Sequence, residues 1–130
     1  MKFKYKKYSS GVLRPIIPIE ILYKDIAVPY EVLVDSGADV CIFDAQIADI
    51  LGVNLADGQK QNIAGLTGIA EPYYIHPVTI VVGGWKYKID VGFLENMGDF
   101  GYGVVGQKGF FDIFVVKFDL VKEEIELKQR

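Results

Sequence analysis

The sequence predicts a mainly β domain with one short helix, and three observations predict it. The 130 residues include 14 glycines, eight tyrosines and eight phenylalanines among many Val and Ile, a composition that favours strands and tight turns. Alternation of apolar and polar residues recurs along the chain at the two-residue period of a half-buried strand. Helical patterning with both a start and a stop signal occurs in one place, Asp44 to Gly52.

Residues 2–8 alternate lysines with Phe3, Tyr5 and Tyr8 and read as a strand with one wet face. Leu13-Arg14-Pro15 breaks it. Ile16 to Tyr23 forms a second strand in which Pro18 marks an edge or a bulge, since proline donates nothing to a ladder. Lys24-Asp25 turns the chain into a strand from Ala27 to Val34. A short apolar run, Val40 to Phe43, leads to Asp44, whose side chain suits the cap of a helix from Ala45 to Leu51 with Ile47, Ile50 and Leu51 on one face. Gly52 then ends the helix. Two strands are expected between Gln59 and Val82, around a tip from Ala64 to Ala70. Gly83-Gly84 is a two-residue hairpin signal, because both positions accept positive φ. Trp85, Tyr87, Ile89 and Val91 alternate with Lys86, Lys88 and Asp90 as a half-buried strand. Gly98 to Gly109 has no clear period. Phe114 to Phe118 and Ile125 to Leu127 flank an acidic turn near Glu123 as a terminal hairpin. Without repeats, linkers or low-complexity tracts, residues 1–130 are expected to form a single domain.

The net charge is −3, and four lysines with no acid stand within the first ten residues, so the remainder is the more acidic. An acidic body argues against nucleic acid as a partner. No apolar run approaches the ~20 residues that span a bilayer, so no membrane partner is expected. Cys41 is the single cysteine, which excludes an internal disulfide; with no signal-peptide pattern, a cytoplasmic location is expected.

The chemistry concentrates in Val32-Leu33-Val34-Asp35-Ser36-Gly37-Ala38-Asp39. A carboxylate at the inner end of a buried strand is costly unless it is neutralised, hydrogen-bonded or used. Gly37 lets the backbone turn tightly beside it, and the Ser36 hydroxyl both donates and accepts. This is the arrangement an acid/base carboxylate needs.

Asp35-Ser36-Gly37-Ala38-Asp39 after an apolar strand resembles the active-site loop of retroviral-type aspartic proteases, the retropepsin-like family. Two further features follow in that family's order. The tip Gly65-Leu66-Thr67-Gly68-Ile69 is similar to its flap. Val104-Val105-Gly106 is similar to the hydrophobic-hydrophobic-Gly element that braces the active-site loop. Arg14-Pro15 ahead of the first inner strand also resembles retroviral members, so the likeness runs from about Arg14 to Phe118. It implies a closed β-barrel of the acid-protease type and an aspartic endopeptidase in which Asp35 is catalytic. It further implies that Gly37, Ala38, Asp39, Gly65, Leu66, Thr67, Gly68 and Ile69 meet an extended peptide or protein substrate. Ser36, Val104, Val105 and Gly106 would support the active site.

Cleaving a peptide with two carboxylates requires one charged, to take a proton from water, and one protonated, to hydrogen-bond the scissile carbonyl. The chain has one such acid loop, with no second Asp-Ser-Gly or Asp-Thr-Gly. The second Asp35 must therefore come from a second copy, in an isologous homodimer. The mechanism needs no cofactor and no metal. Two departures stand out. Retroviral members carry Arg after the Gly of the third element, where it braces the loop's second acid; here Gln107-Lys108 follows, leaving Arg14 and Lys108 as candidates to brace Asp39. Retroviral chains also interdigitate their ends at the dimer interface, whereas the longer C-terminus here points to a dimer built differently.

Other readings remain. A non-catalytic peptide-binding or dimerisation module would present the same cleft. Asp35 would then be an ordinary turn acid. Cys41 and His76 form a conceivable nucleophile pair, but Cys41 lies in an apolar strand and His76 precedes Pro77, which favours packing roles. Gly101-Tyr102-Gly103-Val104-Val105-Gly106 spells a dinucleotide fingerprint, yet Gly109 and β-branched residues follow where that motif needs a helix.

Overall fold

The computed structural model describes residues 1–64, 70–97 and 101–130. Within them the strands are β1 (Lys2–Lys4), β2 (Lys6–Ser9), β3 (Val12–Arg14), β4 (Ile16–Tyr23), β5 (Ile26–Val34), β6 (Ile42–Asp44), β7 (Gln59–Ala64), β8 (Ala70–Val82), β9 (Trp85–Leu94), β10 (Gly103–Val105), β11 (Phe114–Asp119) and β12 (Glu124–Gln129). The helix α1 spans Ala45–Leu51, and a single 3-10 turn covers Leu55–Asp57. The molecule is mainly β, as composition and alternation predict.

The strands run in the order β4-β5-β10-β6-β9-β8, and β8 returns to pair with β4 through Glu20↔Val81, Ile21↔Ile80 and Leu22↔Thr79. The sheet is thus a closed barrel, with β7 continuing outward from β8. Closure removes the two edges an open sheet would leave. Its interior is filled by inward-facing residues of alternating strands, among them Ile17, Ile21, Val32, Ile80 and Val82, all fully buried. Pro18 lies on the part of β4 that has β5 on one side and no β8 pairing on the other, the edge position its missing N–H requires.

Local signals produce their elements. Asp44 accepts from the Gln46 N–H at 2.9 Å, and Gly52 closes α1 at φ +77°. Gly83 and Gly84 turn β8 into β9 with φ of +58° and +87°. Three expectations are corrected. Residues 2–8 make two strands rather than one, because β1 pairs with β12 while β2 pairs with β3; Arg14 therefore ends a strand instead of lying in a break. Ile50 is exposed, since Ala45, Ile47, Ala48 and Leu51 form the buried face of α1 and the helical turn carries Ile50 round to solvent. Trp85 is exposed because it sits at the hairpin tip, where no layer covers it.

Against the barrel lies a second sheet in the order β1-β12-β11. Its Ile125 and Leu127 are buried in the same core as Phe110 and Phe114, and its outer face carries the ion pairs Lys2–Glu126 and Lys4–Glu124. No helix of the described residues is long and apolar enough to cross a membrane.

Candidate functional site

Asp35 follows directly on β5, and its position is set by the strand beside it. β10 runs parallel to β5 in the register Gly103↔Val32, Val104↔Leu33, Val105↔Val34 and separates β5 from β6. The ladder ends with the Asp35 N–H donating to the Val105 carbonyl at 3.0 Å. Val105 is fully buried, so the backbone beneath the acid is anchored in the core. On the other side, the Val34 N–H donates to the Pro15 carbonyl at 2.9 Å.

The loop then folds over its own carboxylate. The Gly37 N–H donates to Asp35 Oδ1 at 2.9 Å, and the Ala38 N–H donates to the Asp35 carbonyl at 3.2 Å. A Cβ at Gly37 would stand 3.2 Å from Asp35 Oδ1, tighter than an ordinary contact. Asp35 is partly exposed, while Ser36, Gly37 and Asp39 are exposed. The acid is therefore held by backbone yet open to solvent, as a carboxylate must be to meet a substrate.

Residues 106–108 fasten the loop from behind. The Gln107 N–H donates to the Ala38 carbonyl at 2.8 Å and the Lys108 N–H to the Asp39 carbonyl at 3.0 Å. The Gln107 side-chain amide donates to the Ser36 carbonyl. Gly106 is required here by space: a Cβ would lie 2.5 Å from the Ala38 carbonyl oxygen and 2.6 Å from that of Val40. Its N–H points to Cys41 Sγ at 3.5 Å, and the thiol in turn points to the Lys108 carbonyl at 3.5 Å. Cys41 is fully buried, and burial pushes its thiol up to about 11.

The structure thus brings Asp35, Ser36, Gly37, Ala38 and Asp39 together with Val104, Val105 and Gly106. The tip residues Gly65, Leu66, Thr67, Gly68 and Ile69 lie outside the described residues; the strands leading to and from them, β7 and β8, pair as a hairpin. Neither candidate brace reaches the Asp39 side chain. Arg14 donates to the Tyr102 hydroxyl and lays its guanidinium 3.8 Å above the Tyr8 ring, while Lys108 serves Asp39 through its backbone N–H. Gln107 is the residue sequence reasoning missed. Its position beside Gly106 was the available signal, but its partner Ser36 is far away in sequence.

Cys41 is core, and His76 lies in β8 with Nε2 2.9 Å from the Leu55 carbonyl oxygen. The glycine run from Gly101 to Gly106 supplies β10 and is followed by turns, without the helix that a dinucleotide site requires. Among the described residues no group of three or more His, Cys, Asp or Glu is placed to hold a metal ion. A concavity of about 550 Å³ opens between Val40, Lys88, Asp90, Lys108 and Asp112, but Asp35 does not line it.

No family model matches the chain, and no curated protein matches it in sequence. In structure it is similar to a retropepsin-like aspartic protease from Rickettsia conorii, with a TM-score of 0.65 at 18% identity over 98% of this chain and 89% of that one. It also aligns with EIAV protease complexed with the inhibitor HBY-793, at a TM-score of 0.49 and 26% identity over 72% of this chain and 82% of that one. A barrel closed by β4 and β8, with β10 threaded beside an acid-ended β5, is the retropepsin-like fold.

Proposed function

We propose that residues 1–130 act as a single retropepsin-like domain whose homodimer is an aspartic endopeptidase. Asp35 of each copy contributes one carboxylate. Close like charges cannot both ionise, so one carboxylate takes a proton from the attacking water while the protonated one hydrogen-bonds the scissile carbonyl. The Gly37 N–H, already on Asp35 Oδ1, holds one oxygen in place and leaves the other for the reaction. Ser36 ties the two loops across the two-fold axis. Gly37, Ala38 and Asp39 line the cleft, and Gly65 to Ile69 close over an extended peptide with apolar side chains, which pairs as an added strand. The reaction uses no metal, cofactor or covalent intermediate. The proposed site of action is the cytoplasm, where a single free thiol is at home.

The observation that carries this reading is the double fastening of a partly exposed Asp35, by the backbone of Val105 and Gly37 and from behind by the 106–108 segment, including the Gln107 side chain. A carboxylate serving merely as a turn cap needs no such second layer. The test is cleavage of denatured protein mixtures from acidic to neutral pH, with Asp35→Asn beside the wild type. Cleavage by the wild type and none by a folded Asp35→Asn supports the enzyme. Equal peptide binding by both proteins with no cleavage by either replaces it with a binding module.

A further inference from the structure

We propose that the outer edge of β11 is where a second copy of this chain docks, strand against strand across a two-fold axis, with Phe118 opposite its own copy. The inference rests on the dimeric reading above and names the surface that makes the dimer.

Backbone alternation shows which groups are free. The Met1 amino group donates to the Leu127 carbonyl at 3.0 Å, and the Leu127 N–H donates to the Met1 carbonyl at 2.8 Å. Residues of β12 with odd numbers therefore face β1, and those with even numbers face β11. The bond from the Arg130 N–H to the Ile113 carbonyl, 2.9 Å, fits that alternation. With the β11–β12 register Val115↔Lys128, Lys117↔Glu126 and Asp119↔Glu124, these three residues of β11 spend their backbone groups on β12. Val116 and Phe118 turn theirs the other way, where no described strand pairs. Such an edge is a template for another chain.

The side chains agree. Phe118, Leu120 and Val121 are exposed, Val121 to 96%, at the end of β11 and in the turn after it, while Val115 is exposed on the strand's other face. On the inner face of the sheet, Ile125 and Leu127 are buried, while Phe118 at the edge strand is left 40% exposed. The apolar layer therefore stops short of its own rim. The opposite rim is different: β1 is three residues long and carries Lys2 and Lys4, charges that discourage pairing. Because β1 is already held by β12 of the same chain, the ends are not free to interdigitate with those of another copy.

Charge selects the register. With the axis at Phe118, Lys117 of each copy stands opposite Asp119 of the other, Val116 stands opposite Leu120, and the two Phe118 rings meet. An axis at Lys117 sets like charges against each other. An axis at Val116 needs the Phe114 N–H, which already donates to the Phe110 carbonyl at 2.9 Å, and leaves Lys117 facing Val115. The contact is isologous, as a site built from two identical halves requires.

The test uses the full chain. Phe118→Cys and Lys2→Cys are treated with a short bis-maleimide, with Cys41 left in place since it is fully buried. Phe118→Cys is expected to give a covalent dimer, and Lys2→Cys none. Should Phe118→Cys fold poorly, sedimentation of Lys117→Glu is expected to show a roughly tenfold weaker dimer, restored in Lys117→Glu combined with Asp119→Lys. A dimer that links through Lys2→Cys, or one indifferent to both the Phe118 and Lys117 changes, overturns this surface and leaves the peptidase reading standing. A chain that is monomeric at every concentration overturns both. A dimer that links through Phe118→Cys but cleaves nothing supports the surface and removes the peptidase.

Discussion

Gly106→Ala tests whether the acid loop is positioned from behind. The added methyl would lie 2.5 Å from the Ala38 carbonyl oxygen, 2.6 Å from the Val40 carbonyl oxygen and 2.9 Å from the Ala38 carbonyl carbon. All three are backbone atoms, so no side chain can swing aside. Restoring ordinary contact requires the two segments to part by roughly 0.9 Å, far into the range where packing is lost. That movement stretches the Gln107 N–H bond to Ala38, now 2.8 Å, and the Lys108 N–H bond to Asp39, now 3.0 Å. Overpacking of this kind costs about 1–3 kcal/mol, and a weakened buried hydrogen bond adds about 1. The expected destabilisation is therefore about 2–4 kcal/mol, a large share of a typical domain's stability. In urea it shifts the unfolding midpoint down by roughly 1–2 M. Peptide cleavage should fall further than stability under folding conditions, because Asp35 is displaced even in molecules that remain folded. Gly37→Ala is the companion: its contact is with a single carboxylate oxygen at 3.2 Å, so stability should hold while activity drops. An unchanged urea midpoint for Gly106→Ala would refute the reasoning.

Two further outcomes are expected. Burial pushes the Cys41 thiol up to about 11 from 9 and the Tyr30 hydroxyl up to about 12 from 10, outweighing the hydrogen bond from the Asp44 N–H that lowers the latter. The unfolded chain releases these protons first, so the stability they carry is full below pH 9 and declines as pH rises towards about 12. Urea titrations at a series of alkaline pH values read that decline, and stability that stays level across the window contradicts it. Arg14→Lys should cost about 1–2 kcal/mol, because an ammonium cannot both bond the Tyr102 hydroxyl and lie flat on the Tyr8 ring. A urea midpoint equal to that of the wild type would show that the stack carries no stability.

The sequence by itself determined whatever a single residue's backbone preference or a short pattern can dictate. Asp44 and Gly52 bound α1 because capping is a property of the cap and its next few neighbours. Gly83-Gly84 makes its turn because both positions take positive φ. The acid loop was legible because an ionisable side chain, a hydroxyl and a glycine are conspicuous at the end of an apolar strand. Tertiary structure decided everything that depends on which distant strand arrives alongside. Residues 2–8 read as one alternating stretch, interrupted at Lys6-Lys7, yet they split between β12 and β3, and the pattern does not name either partner. The brace on the acid loop comes from Gly106 and Gln107, whose partners Ala38, Val40 and Ser36 are neighbours solely because β10 threads beside β5. Arg14 was drawn to two tyrosines rather than to Asp39 for the same reason. Hydrogen bonds and close contacts are satisfied by whatever group the fold delivers within about 3 Å, and separation along the chain has no bearing on that distance.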